Sequence, residues 1–280
     1  MKVTYFGTTT LLFDDGKDQI LFDAHVTRPS LLRYVLPVRV STDAALCDRL
    51  IRLHRMDRLR AIFVSHTHHD HVMDAPYIAG KCGARIYGSK SARNVALGGG
   101  VSAADVEVFR HGSCFAVGDY RIRVLKSLHS KPTVLNNDLG QPIPAPLAQP
   151  ARLRAYKEGG SYDFLVEHGE KKILIRPSFN YIEGQLDGVC ADVLFLGVAG
   201  LAKAERSTEK TFFSETVEKT GAKLVIPIHW DNFFAPLESP NKSMPALLER
   251  TELVFHKLAK YCESRDVKLL IQYPCTSIEI

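Results

Sequence analysis

Residues 65–72 read Ser-His-Thr-His-His-Asp-His-Val, so four of the chain's 11 histidines share one short segment with an aspartate. Neutral imidazole and carboxylate are groups that bind zinc, and a catalytic zinc takes three protein ligands and leaves a position for water. His66 and His68, two apart at the end of a strand, project to the same side and can grip one ion. Asp70 and His71, on the turn that follows, can reach a second position. His69 is expected to be structural or to lie outside the ligand set. Four residues cannot give three ligands to each of two ions, so two more are needed. His129 ends the run RVLKSLHS and His229 ends KLVIPIHW, each closing an apolar strand as His66 does. The expected trios are His66, His68 and His129, and Asp70, His71 and His229. Such a site would hydrolyse its substrate with zinc-bound hydroxide, with Asp70 passing a proton to the leaving group. His25, His54, His111, His168 and His256 have no such company and are expected to be surface or core residues.

The elements that must carry these residues read mostly as strands. Residues 3–7, 9–13 and 19–24 form an opening hairpin set, turning at Asp14-Asp15-Gly16-Lys17. Residues 27–40 hold two prolines and read as an irregular loop. Ser41-Thr42 offers an N-cap to a helix with Ala45, Leu46, Leu50 and Leu53 on one side. The apolar run 61–66 is a buried strand leading into the histidines, and ligands of α/β sheets bind at such strand ends. Strands are expected at 84–89, 106–110, 120–130, 162–178 (a hairpin turning at Gly169), 191–200, 223–230 and 267–273. Helices are expected at 207–220 and 244–262. Residues 131–160 carry five prolines and little periodicity, as a substrate lid would. One domain spanning residues 1–280, with two sheets face to face and helices outside, is the economical arrangement.

Composition narrows the function classes. A chain of 280 residues, 45% hydrophobic and 24% charged, needs no metal or disulfide merely to fold. None of the six cysteines is spaced as C-x-x-C, so they read as buried, reduced thiols and not as a zinc knuckle. The net charge of +5 is scattered, where a nucleic-acid surface would cluster it. No stretch approaches the ~18 apolar residues of a membrane span. The N-terminus carries no signal-peptide pattern. A cytoplasmic enzyme acting on a small molecule is expected, with nucleic acid and membrane disfavoured and homo-oligomerisation left open.

The H-x-H-x-D-H pattern at a strand end, followed by His129 and His229 at later strand ends, resembles the metallo-β-lactamase superfamily along nearly the whole chain. The resemblance implies an α+β fold, the αββα sandwich with two mixed sheets flanked by helices and metals in a cleft at one edge. It implies that Asp23, in LFDAH, braces the metal loop, and that the cofactor is Zn2+ in one or two sites, with Mn2+ or Fe2+ still open. The sequence departs from the family in one place. Many of its hydrolases carry a bridging aspartate after the second hairpin, where this chain reads ILIRPSFNY with Pro177 and Ser178.

Ser178, Asn180, Tyr181 and Asn232 are candidate donors to a developing oxyanion. Arg176, with Arg28, Arg33, Arg39, Arg152, Arg154 and Lys157, could hold an anionic group, and Tyr34, Leu36 and Trp230 could form an apolar wall. Resemblance to lactonases of the superfamily makes a small anionic lactone, ester or amide the expected substrate. The alternatives are a phosphodiesterase or nuclease of the same superfamily, and a metal-binding protein whose catalysis has decayed.

Overall fold

The computed structural model of the chain describes residues 1–133, 137–240 and 242–280. The chain opens with strands β1 (Lys2–Gly7), β2 (Thr10–Asp14) and β3 (Gln19–Phe22), then runs through α1 (Leu31–Val35), β4 (Arg39–Val40) and α2 (Ala44–Leu53) to β5 (Leu59–Phe63). The short turn α3 (His69–Val72) leads to α4 (Ala75–Cys82), β6 (Arg85–Gly88), α5 (Lys90–Gly98) and β7 (Val106–Val108). The second half begins with β8 (Cys114–Val117), β9 (Tyr120–Lys126), β10 (Ala151–Arg152), β11 (Tyr162–His168), β12 (Lys171–Arg176) and β13 (Val193–Gly197). It closes with α6 (Arg206–Phe213), β14 (Leu224–Ile228), α7 (Thr251–Ser264), β15 (Lys268–Leu269) and β16 (Thr276–Glu279).

Two seven-stranded mixed sheets result, in the orders β16-β1-β2-β3-β5-β6-β7 and β15-β14-β13-β12-β11-β9-β8. The fold is the α+β sandwich of the metallo-β-lactamase type. In the first sheet β3, β5 and β6 run parallel; in the second, β12, β13 and β14 do. Parallel strands are covered on both faces, which is why Ala61, Ile62 and Phe63 of β5 are all buried. Between the sheets an aromatic spine forms the core. Phe22 of β3 lies 5.6 Å from Phe63 and 5.3 Å from Phe164, and Phe13 lies 6.1 Å from Phe195. A second core packs α2, α4 and α5 on the outside of the first sheet.

Several expectations need correction. Residues 27–40 are not wholly irregular: they hold α1 and β4, and β4 pairs with β10 from the long proline-rich segment. The two expected loops are thereby joined to each other. Of the segment 131–160, residues 134–136 lie outside the described residues. The α2 helix is capped by Asp43, whose side chain accepts from Leu46 N, and it buries Cys47 and Leu50. Ala45 is exposed, and Leu53 is 74% exposed because the chain leaves the helix there through Arg55 at φ +48°. The expected strand 267–273 is only two residues long. The cysteines are all free thiols, but Cys114, Cys190 and Cys275 are exposed and only Cys47 and Cys262 are buried. Helices α4 and α5 and strands β8 and β16 were not foreseen.

Candidate metal centre

The residues singled out from sequence meet at the C-terminal ends of the strands. His66 and His68 follow β5, His129 follows β9, Ser178 follows β12 and His229 follows β14. His68 takes the N-cap position of α3, which turns Asp70 and His71 back toward it. One potential ligand atom from each of His66, His68 and His129 lies within 4.8 Å of the others, and the same holds for Asp70, His71 and His229. The ring centroids of the first trio are 4.9, 4.8 and 4.7 Å apart. In the second, Asp70 Oδ2 is 3.6 Å from His71 Nε2 and 3.5 Å from His229 Nε2.

Hydrogen bonds fix which ring nitrogen faces inward. His71 Nδ1 is 2.7 Å from Asp23 Oδ2, so its Nε2 is left for the centre. Asp23 is itself held by Thr9 Oγ1 at 2.5 Å and by the hydroxyl and backbone N–H of Ser65, each at 2.7 Å. His129 Nδ1 lies 3.0 Å from Ser130 O, leaving Nε2. His68 is the reverse: its Nε2 lies 2.9 Å from Asp138 Oδ1, leaving Nδ1.

Burial and the neighbouring imidazoles push His66 and His71 well below the ordinary histidine range. Burial takes His129 down to about 4 and lowers His229. These rings are therefore neutral at neutral pH, with lone pairs to offer. Burial works against ionisation of Asp70, but His69, His229, His25 and His68 around it prevail and bring it down to about 2. The Nε2 atoms of His66 and His71 are buried and meet no hydrogen-bond partner. Leaving such an atom unpaired costs roughly 1–3 kcal/mol. Five imidazoles and a carboxylate, two of them with orphaned inward nitrogens, fit a divalent metal such as zinc.

The His229 turn is built with care. His229 sits at φ +59°, and its N–H donates to Thr8 O at 2.6 Å. Thr8 N and Tyr5 Oη both donate to Asp231 Oδ1, at 2.6 and 2.8 Å, and Arg28 Nη1 donates to Asp231 Oδ2 at 2.8 Å. Arg28 Nη2 also donates to Phe6 O at 2.8 Å. Gly7 leaves the room for this: a Cβ there would collide with Arg28 Nη2 and Asp231 Oδ2.

A cavity of about 1030 Å³ opens above both trios. Ser178, Asn180 and Tyr181 line it, as do Tyr34, Arg154 and Lys157. His69 lines it too, so this residue is not turned away from the site. Asn180 Nδ2 donates to His129 O at 2.7 Å, while Arg176 Nη2 donates to Asn180 O at 2.8 Å. Arg176 is buried against Asp163 at 3.3 Å and braces this turn; it is not placed to meet a substrate. Arg28 is likewise spent on Asp231. Asn232 does not line the cavity; its Oδ1 accepts from Phe234 N at 3.1 Å. Trp230 is buried against Phe255, 5.1 Å between centroids, so the apolar wall comes from Phe233 and Phe234 instead. That aromatic pair, in DNFFAPL, was a signal open to sequence reading. Asp138, a lone acid in NNDLG, gave none.

The sequence model for the beta-lactamase superfamily domain matches residues 18–230. A search of curated proteins finds no match. Among solved structures, the chain is similar to the metallo-beta-lactamase fold protein YhfI from Bacillus subtilis, at 14% identity over 99% of each chain with a TM-score of 0.58. It is similar to an isothiocyanate hydrolase from Delia radicum gut bacteria, at 16% identity over 100% of this chain and 99% of that one, TM-score 0.59. The short form of human tRNase Z gives 13% identity over 100% and 99%, with a TM-score of 0.56. These likenesses are of fold. The family match takes in all six converging residues, and the chain belongs to the beta-lactamase superfamily domain family.

Proposed function

We propose that the chain is a zinc-dependent hydrolase whose two trios, His66, His68, His129 and Asp70, His71, His229, hold the metal, and whose substrate is an anionic lactone, ester or amide. The observation that carries this is the pairing of both trios with one large cavity at the strand ends. When bound, the metal supplies a Lewis acid and an activated water. Asp70, ionised at neutral pH, is placed to take up a proton and deliver it to the departing oxygen or nitrogen. Ser178, Asn180 and Tyr181 line the same cavity as His129 and are the candidate donors to the oxyanion.

The cavity also speaks to substrate size. At about 1030 Å³ it stands at the upper end of the ~300–1,000 Å³ of sites for drug-sized ligands, and a compact lactone would leave much of it empty. Phe233 and Phe234, 4.4 Å apart, and Tyr34, 6.0 Å from Phe234, give an apolar wall. Arg154 lies 5.1 Å over the Tyr34 ring, and Lys131, Lys157 and Lys203 line the cavity together with Asp138, Glu205 and Glu249, so the cations are local contacts and not a net positive field. An acyl compound with an anionic group and an apolar body fits this division, reached in the cytoplasm as a small-molecule substrate. The test is turnover of a panel comprising lactones, aryl esters with and without a carboxylate, a chromogenic β-lactam and bis(p-nitrophenyl) phosphate. Preference for the carboxylated esters or lactones supports the reading, and turnover of the phosphodiester alone would overturn it. His68→Ala is expected to abolish turnover, since the first trio loses a ligand.

A further inference from the structure

The long segment between β9 and β11 contributes several residues to the cavity lining. It carries Asp138 onto the outer ring nitrogen of His68, with Oδ1 2.9 Å from Nε2. Both side chains are largely buried, at 10% and 13% accessible, which is unlike an incidental surface pair. The other carboxylate oxygen faces Lys157 Nζ at 3.8 Å. Asp138 is held in a turn by Gln141 N, which donates to its carbonyl at 3.0 Å.

That turn is sewn to the metal loop itself. Gly140 N donates to Glu158 Oε2 at 2.9 Å, and Gly159 N donates to Gln141 O at 3.0 Å. Glu158 O in turn accepts from Thr67 N at 2.9 Å, and Thr67 stands between His66 and His68. Asp138 thus keeps its distance to His68 through a closed circuit of backbone and side-chain bonds.

We propose that Asp138 is a positioning residue for the His66–His68–His129 trio, setting the tautomer and orientation of His68 and lending the trio negative charge. This rests on the reading of that trio as a metal site. A carboxylate accepting from Nε2–H leaves Nδ1 unprotonated and turned inward, and raises its basicity. The same device already appears in the other trio, where Asp23 meets His71 at 2.7 Å. The two trios would then be braced alike, one from the opening strands and one from the long segment.

The experiment is a Co2+ titration of metal-free protein, followed by visible absorption and by competition with a chromophoric chelator. Asp138→Ala is expected to weaken the first-filled site by about 10- to 100-fold, in line with the loss of such carboxylate partners elsewhere. Asp138→Asn, whose amide oxygen still accepts from Nε2, is expected to fall between this and the parent. Circular dichroism of the metal-free forms checks folding, and Asp138→Asn decides the matter should Asp138→Ala not fold. Unchanged Co2+ affinity in a folded variant, with normal uptake by the parent, would overturn the role of Asp138 alone. A parent protein that takes up no Co2+ would overturn the metal trio and the role of Asp138 together.

Discussion

Ser178 is the residue on which metal stoichiometry turns. Among the six converging groups only Asp70 is anionic, so the second trio offers a cation one carboxylate and two neutral rings. The first trio has three rings, one of them backed by Asp138. Without a carboxylate shared between the positions, an ion bound at the second trio is expected to be retained less firmly. Protein purified without chelator is expected to hold one ion tightly and the second in part, and elemental analysis reads this directly. Two tightly held ions in the parent would count against it. Ser178→Asp should raise the second occupancy, because it places a charged oxygen ligand where the β12 strand ends. The convergence of these six residues was legible in sequence for a simple reason: an apolar run that ends in histidine places the ring at a strand end. Their braces were less legible. Asp138 and Glu158 act from a proline-rich segment without periodicity, and only the folded backbone brings them to Thr67 and His68.

The elements show how much of the scaffold serves the His229 turn. A non-glycine residue held at φ near +59° stores of order 1–3 kcal/mol of strain, and the surroundings must over-determine it. Here β1, the chain after β3 and the end of β14 meet in the Tyr5–Arg28–Asp231 cluster, with both charged side chains at or below 1% accessible. Arg28→Met leaves the Asp231 carboxylate buried without its cation and is expected to cost about 3–5 kcal/mol. Arg28→Met combined with Asp231→Asn should recover part of that, as both charges are gone while the amide oxygen can still accept from Thr8 N and Tyr5 Oη. Urea unfolding of the metal-free variants measures both, and a single variant within about 1 kcal/mol of the parent would exclude this role for the pair. Sequence reading offered Arg28 only as one of several loop cations that could hold an anionic group, because an arginine in a loop looks solvent-facing until its partner, 203 positions away, is known. The same limit explains the missed elements. Helices α4 and α5 are short and rich in small residues, and β16 is an edge strand whose residues are mostly exposed, so neither pattern stands out before tertiary pairing selects it.

For the molecule as a whole, gathering imidazoles in one buried cleft ties folding to pH. His25, His66, His69, His71, His129 and His229 are all lowered, chiefly by burial, with His69 and His129 reaching about 4. An unfolded chain protonates these rings near pH 6.5, while the folded chain resists protonation until well below that. Between pH 6.5 and about 4 the unfolded state therefore binds more protons, so stability rises with pH through this window and is lost as pH falls. Four carboxylates, Asp23, Asp74, Asp163 and Glu249, are raised by burial and act in the opposite sense. Burial raises Asp23 to about 7 and Asp74 to about 6, so each favours the folded state at low pH and loses that contribution as pH rises through its folded value. Six rings against four carboxylates leave the histidines dominant, each lowered ring contributing up to about 1.4 kcal/mol per pH unit while it titrates only in the unfolded state. Calorimetry of metal-free protein is expected to show the melting temperature falling steeply from pH 6.5 to 5, and a flat profile there would contradict the neutral, buried cluster. A saturating divalent metal should lift the curve at pH 7, by about 2.7 kcal/mol at one hundred times its dissociation constant. Because the ligands must shed protons to bind, that lift should shrink as pH drops. The metal-free and metal-loaded curves are thus expected to converge toward pH 5, and curves that stay parallel would place the bound ion somewhere other than on these histidines.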